Sequence, residues 1–169
     1  MGAFTHVLTY DGGVLVTQLG SRSDISVFSN PLHHFNGDDQ WGLGLSPLPA
    51  DKTYDEMLST GELSTEFIQA GGLPDAMTVE IRKPGGQQWG AQWVRYTVGH
   101  PHCQPEPIDI PIDVAGGVKM VSRSEVFDAD EATRLFWSYY TTGDIPGTYT
   151  LRPMQGYALD GSAIEPPRS

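Results

Sequence analysis

Alternation of apolar and polar residues is clearest in the middle of the chain. Met77, Val79 and Ile81 alternate with Thr78, Glu80 and Arg82, the period of a strand with one buried and one wet face. Pro84-Gly85-Gly86-Gln87 has the composition of a turn. Residues 92–98 then return with Val94, Tyr96 and Val98 on one side and Trp93, Arg95 and Thr97 on the other. Further on, Ile108, Ile110, Ile112 and Val114 alternate with Asp109, Pro111 and Asp113. Pro111 has no N–H to give a ladder, so this run is predicted to be an edge strand. Gly116-Gly117 turns it into a partner over 118–121. At the start of the chain, apolar runs at 4–9 and 14–19 flank Asp11-Gly12-Gly13 and predict a hairpin. A third strand is expected over 25–28, then a loop over 30–40 carrying Pro31, Asn36-Gly37 and Asp38-Asp39, then a strand over 41–45.

Helical spacing is strongest near the C-terminus. Ala132, Leu135, Phe136, Tyr139 and Tyr140 recur at i, i+3, i+4, i+7 and i+8 and form one apolar stripe. Asp128 and Glu131 make a capping box at its start, and Gly143 is its natural stop. A strand over 149–152 follows. Thr53-Tyr54-Asp55-Glu56 reads as a second capping box opening a short helix to about residue 59. Residues 64–70 are expected to form a helical turn stopped by Gly71-Gly72. Strands outnumber helices and come mostly as neighbours. The fold class is therefore α+β, a mostly antiparallel sheet with a few short helices packed on it. A single domain is expected over residues 1–165, with a frayed tail at 166–169.

Charge narrows the range of partners. The chain of 169 residues carries 21 acidic against 10 basic side chains, a formal net charge of −11. A phosphate-binding surface needs clustered Lys and Arg, so nucleic acid is not an expected partner. There is no apolar run near membrane-spanning length, and the N-terminal residues lack the layout of a secretion signal. Cytoplasmic residence is the expectation. The single cysteine, Cys103, cannot form an internal disulfide.

Candidate chemistry is sparse. His100-Pro101-His102-Cys103, with or without His33-His34, holds zinc-type ligands, but at no standard ligand spacing; the plainer reading is a solvated loop. No Gly-x-Ser-x-Gly elbow is present. The pairs Asp38/Asp39 and Asp109/Asp113 are better explained as a solvated turn and as acids that guard an edge strand than as an acid–base couple. Pro84-Gly85-Gly86 joins two strands and lacks the rest of a phosphate loop. No metal or cofactor is called for. Trp89 lies by the glycine-rich turn and Trp137 lies off the helical stripe, the placement of interface anchors.

From Phe127 to Ala132, Leu135 to Pro146 and Tyr149 to Pro153, and again over residues 77–96 with Trp89-Gly90 and Trp93-Val94-Arg95-Tyr96, the sequence resembles small acidic immunity proteins of mycobacteria and other actinobacteria. The best-known kind is the immunity factor for tuberculosis necrotizing toxin, an NAD⁺ glycohydrolase. The resemblance covers about half the chain and implies an antitoxin that binds a toxin domain one-to-one in the producing cell and blocks its NAD⁺ pocket. Such a pocket carries cationic groups for the pyrophosphate, which acidic loops would complement. The expected contact residues are Asp38, Asp39 and Trp41, the turn with Lys83, Gly85, Gly86, Gln87 and Trp89, and the strand acids Asp109 and Asp113. Two other functions fit the same residues: a non-catalytic adaptor or secretion-chaperone domain, and a small hydrolase or metal-dependent enzyme using His100, His102 and Cys103.

Overall fold

Every strand pair among the described residues is antiparallel. The computed structural model describes residues 4–48, 55–56, 66–115 and 117–167. Its elements run β1 (Phe4–Tyr10), β2 (Leu15–Gly20), α1 (Ser26–His33), β3 (Gly42–Pro47), β4 (Phe67–Leu73), β5 (Ala76–Pro84), β6 (Trp93–Gly99), β7 (Ile110–Val114), β8 (Gly117–Val121), α2 (Ala129–Thr142), β9 (Thr150–Tyr157) and β10 (Ala163–Ile164). Eight strands make one sheet in the order β10-β9-β6-β5-β4-β3-β1-β2, while β7 and β8 form a separate hairpin. The α+β, sheet-dominated architecture follows the sequence expectation. Among the described residues no helix is long and apolar enough to cross a membrane.

Helices α1 and α2 cover one face of the large sheet and touch each other. Asp128 caps α2 by accepting from the Glu131 N–H, and Gly143 ends it in the left-handed conformation at φ 86°. The predicted stripe, Ala132, Leu135, Phe136, Tyr139 and Tyr140, is buried. It shares one core with Leu8, Leu45, Ile68, Val79, Ile81 and Val98 from five strands. Trp137 does not stand out as a surface anchor. It packs edge-on to Phe28 with ring centroids 6.4 Å apart and lies 5.5 Å from Tyr140.

Three expectations are corrected. The third strand over 25–28 is instead α1. Asp24 starts it, its side chain accepting from the Ser26 N–H at 2.8 Å and its carbonyl from Val27. Phe28 and Leu32, one turn apart, are fully buried. Tertiary packing outweighs the helix-breaking Pro31 that lies inside the element. The loop therefore begins only after His33.

The second correction concerns 64–70. Phe67 onward is the central strand β4, paired with both β3 and β5, and Gly71-Gly72 lie inside it. The β7–β8 hairpin presses onto this point. A Cβ on Gly71 would sit 3.0 Å from Val114 Cγ1; one on Gly72 would sit 2.8 Å from Ile112 Cγ2 and 2.6 Å from the Ala76 carbonyl oxygen. Glycine here admits another backbone rather than stopping a helix.

The same hairpin overturns the wet face of β5. Thr78 and Glu80 are 3% and 1% exposed, so the strand is buried on both sides. Among the described residues β7 pairs with β8 alone, Pro111 opposite Met120, which agrees with its reading as an edge strand. Asp55 and Glu56 are helical; the remainder of the proposed helix over 53–59, residues 64–65, Gly116 and residues 168–169 lie outside the described residues.

Candidate functional site

Strand direction sorts the expected contact residues onto two opposite ends of the sheet. At one end lie the β1–β2 turn, the α1–β3 loop, the β4–β5 turn and the start of α2. The α1–β3 loop is tied by Asn36, whose Oδ1 accepts from the Asp38 and Gln40 N–H groups at 2.9 and 3.1 Å and whose Nδ2 donates to Asp39 at 2.7 Å. With Gly37 at φ 78°, this tight turn leaves both aspartates exposed. Asp38 and Asp113 then line one open cleft of ≈ 530 Å³ with Leu73 and Val118. Asp75, in the β4–β5 turn, is exposed at the same end, and none of Asp38, Asp39, Asp75 and Asp113 has an ion-pair partner among the described residues. Asp109 precedes β7 and is exposed outside this cleft.

At the other end, Lys83 Nζ reaches both Asp144 oxygens at 3.1 Å, tying β5 to the exit of α2. Gly85, Gly86 and Gln87 form the β5–β6 turn, with Gly86 at φ 73°. The Trp89 ring lies against Gly86 and Gly156, where an added Cβ would come within 2.8 and 2.6 Å of it. Trp89 thus fastens the turn to β9. The ten expected residues do not form one surface. The acidic group and the glycine–tryptophan group are separated by the length of the strands.

No protein-family model, curated protein or solved structure matches this chain.

Trp41 belongs to neither acidic cleft nor turn. Its N–H and that of Gly42 donate to Asp11 Oδ1 at 2.8 and 3.1 Å, and its ring turns over Gly12 into a second cleft. This cleft, ≈ 430 Å³, opens on the hairpin side of the large sheet. Strand register makes its floor in rows. Gly42, Gly71 and Thr78 lie side by side across β3, β4 and β5, and Thr9, Gly44, Gln69, Glu80 and Thr97 form the next row. Val114 and Lys119 of the hairpin and Phe67 complete the walls.

Glu80 organises the polar side of this cleft. Its carboxylate receives Arg95 Nη1 at 3.0 Å, Gln69 Nε2 at 2.6 Å and Lys119 Nζ at 2.5 Å. Burial alone would raise its pKa, but Lys119, Arg95 and Gln69 outweigh burial and hold it below the ordinary glutamate range. Beside it, the Thr78 hydroxyl is buried with no hydrogen-bond partner among the described residues. None of Glu80, Gln69, Thr78 and Lys119 was singled out from the sequence. The available signal was a carboxylate between Val79 and Ile81, and the run Gly42-Leu43-Gly44-Leu45, in which the leucines enter the core and the glycines face the cleft.

His100 is held at both ring nitrogens. Nδ1 meets the Ser124 carbonyl and Nε2 meets Glu131 Oε1, each at 2.7 Å. Both partners only accept, so both nitrogens donate and the ring has the hydrogen-bonding pattern of an imidazolium. Desolvation lowers its pKa, but Glu131 and the Ser124 carbonyl raise it further, above the ordinary histidine value. Stacked on Phe127 at 4.5 Å, with Tyr149 donating to the other Glu131 oxygen at 2.8 Å, His100 joins β6 to α2. In that state it has no free lone pair for a base. His102 and Cys103 are exposed, and among the described residues no group of three His, Cys, Asp or Glu side chains is arranged to hold a metal ion.

Proposed function

We propose that this protein is an immunity-type binding protein whose acidic end enters the active cleft of a toxin domain, an NAD⁺ glycohydrolase in the reading that the family resemblance implies. The observation that carries the proposal is the convergence of Asp38 and Asp113, from distant parts of the chain, on one cleft with Asp39 and Asp75 at the same end and no cation set against them. Four of the eight described lysines and arginines are spent on other acids. Arg95 and Lys119 serve Glu80, Arg152 serves Glu125 and Lys83 serves Asp144. Uncompensated carboxylates on a concave end suit a partner whose cleft is cationic, and they accelerate encounter through long-range attraction.

The test pairs the purified chain with the product of the neighbouring gene, which this reading expects to be an NAD⁺ glycohydrolase domain. The chain is expected to abolish NAD⁺ hydrolysis at a one-to-one ratio with a Kd of about 1 nM or lower, burying roughly 1,600 Å² of surface in total. The double change Asp38→Lys/Asp39→Lys is expected to slow association by about tenfold or more at low salt and to flatten its salt dependence. An unchanged rate and slope would remove this end from the interface. A complex that forms but leaves hydrolysis running would favour an adaptor instead.

A further inference from the structure

We propose that the cleft between the β7–β8 hairpin and strands β3–β5 is a binding site for a small, flat carboxylate. The ring lies on the glycine floor beside Trp41, and the carboxylate is received by Lys119 and the Thr78 hydroxyl. Three independent observations support it.

The first is the floor. Gly42 and Gly44 lie in a paired inner strand, outside the left-handed region, where glycine costs about 0.5–1 kcal/mol relative to alanine. The fold does not require glycine at either position. A Cβ on Gly44 would find nothing nearer than 3.9 Å, and one on Gly42 nothing nearer than 3.7 Å. This differs from Gly71 and Gly72, which the hairpin crowds. What a side chain at 42 or 44 would occupy is the cleft itself, and an unexplained strand glycine marks a close approach by something outside the strand. At ≈ 430 Å³ the space falls within the roughly 300–1,000 Å³ of small-molecule sites.

The second is the Thr78 hydroxyl. It is almost wholly buried, borders the cleft and has no partner among the described residues. A buried hydroxyl left unpaired costs about 1–3 kcal/mol; an acceptor in the cleft would relieve that.

The third is charge. Two cations, Arg95 and Lys119, serve the single Glu80 carboxylate, leaving one unit of positive charge in the network. Lys119 is the cation that faces the cleft. The neighbouring acid at the far end, Asp11, has its carboxylate engaged by the Trp41 and Gly42 N–H groups. Asp11 keeps its negative charge, so what draws an anion is local: Lys119 Nζ and the Thr78 hydroxyl are the donors that face the cleft. Trp41 and a side-chain-free floor select a flat one.

The two clefts share no lining residue, so failure of this site would leave the toxin reading untouched. The test titrates the full chain with benzoate, 2-naphthoate and indole-2-carboxylate, each against its neutral amide, following backbone amide resonances by NMR. At least one carboxylate is expected to shift Gly42, Gly44 and Gly71 saturably, and to bind about fivefold or more tighter than its amide, the size of one partly exposed charge-assisted contact. Gly44→Leu, which fills the floor, is expected to weaken binding by about tenfold or more. Lys119→Met is expected to erase the preference for carboxylate, with Glu80 still held by Arg95 and Gln69. Thr78→Val is expected to weaken binding about three- to tenfold. If Gly44→Leu does not fold, the carboxylate-to-amide ratio in the unaltered chain and its loss in Lys119→Met decide. The inference is overturned if no carboxylate moves those resonances, if amides bind equally well, or if folded Gly44→Leu binds as the parent does.

Discussion

On the helix side of the large sheet, Ile68, Val79, Ile81 and Val98 share a dry core with Phe28, Leu32, Leu135 and Phe136. On the hairpin side, residues adjacent to these in the chain, Gln69, Glu80 and Thr97, lie among Arg95 and Lys119. Both faces of the central strands are buried, but by different means. The first is closed by apolar volume, which is non-directional and fills space. The second is closed by a hairpin above a hydrogen-bonded network, which fixes direction and leaves a cleft. A sheet covered twice can thus devote one face to stability and keep the other for recognition.

The largest expected effect lies on the dry face. Phe136 is fully buried and its ring stands 5.8 Å from that of Phe28. Phe136→Ala should lower the unfolding free energy by about 3–5 kcal/mol, the transfer of the ring plus the cavity it leaves. Urea denaturation measures it. A loss below about 1 kcal/mol would mean that this face is not the closed core described here.

On the hairpin face the expected effect is smaller and depends on pH. Glu80→Gln keeps the shape but removes the charge that Arg95 and Lys119 share, at a cost of about 1–3 kcal/mol at neutral pH. The carboxylate's pKa is depressed in the folded protein. Its contribution is therefore complete above the ordinary glutamate range and lost as pH falls through its lowered folded value. Parent and variant stabilities, measured side by side across the acid range, should converge as pH falls. A constant gap would show that the network acts through packing rather than charge.

The same contrast explains what could be read along the chain. The α2 helix was legible from end to end because its determinants are local: the Asp128 cap, the apolar stripe and Gly143 all lie within sixteen residues of one another. The hairpins β1–β2, β5–β6 and β7–β8 were legible for the same reason. Strand β4 was not, because Gly71-Gly72 answer to Ile112 and Val114, about forty residues further along. The double burial of β5 was hidden likewise, since the alternation of Val79 with Glu80 is equally that of a solvated strand. In α1, Pro31 obscured the Phe28/Leu32 spacing. Of the candidate site, the sequence marked the exposed acids Asp38, Asp39 and Asp113 but could not place two of them on one cleft. The Glu80 network escaped notice because its four members come from four strands.

Glycine offers the finest test of the comparison, because it occurs on the hairpin face for two different reasons. At Gly72, with φ 131° and a Cβ position 2.6 Å from the Ala76 oxygen, alanine must strain the backbone and push the hairpin away. Gly72→Ala should cost about 1–3 kcal/mol. At Gly44 neither constraint holds, and the nearest atom to an added Cβ is 3.9 Å away. Gly44→Ala should leave stability unchanged or raise it by up to about 1 kcal/mol, since alanine loses less backbone freedom on folding. Thermal midpoints of the two variants, measured together, separate a glycine that holds the layers together from one that keeps space open. If Gly44→Ala were as destabilising as Gly72→Ala, the open floor would be a requirement of the fold, and the case for a ligand there would lose its first support.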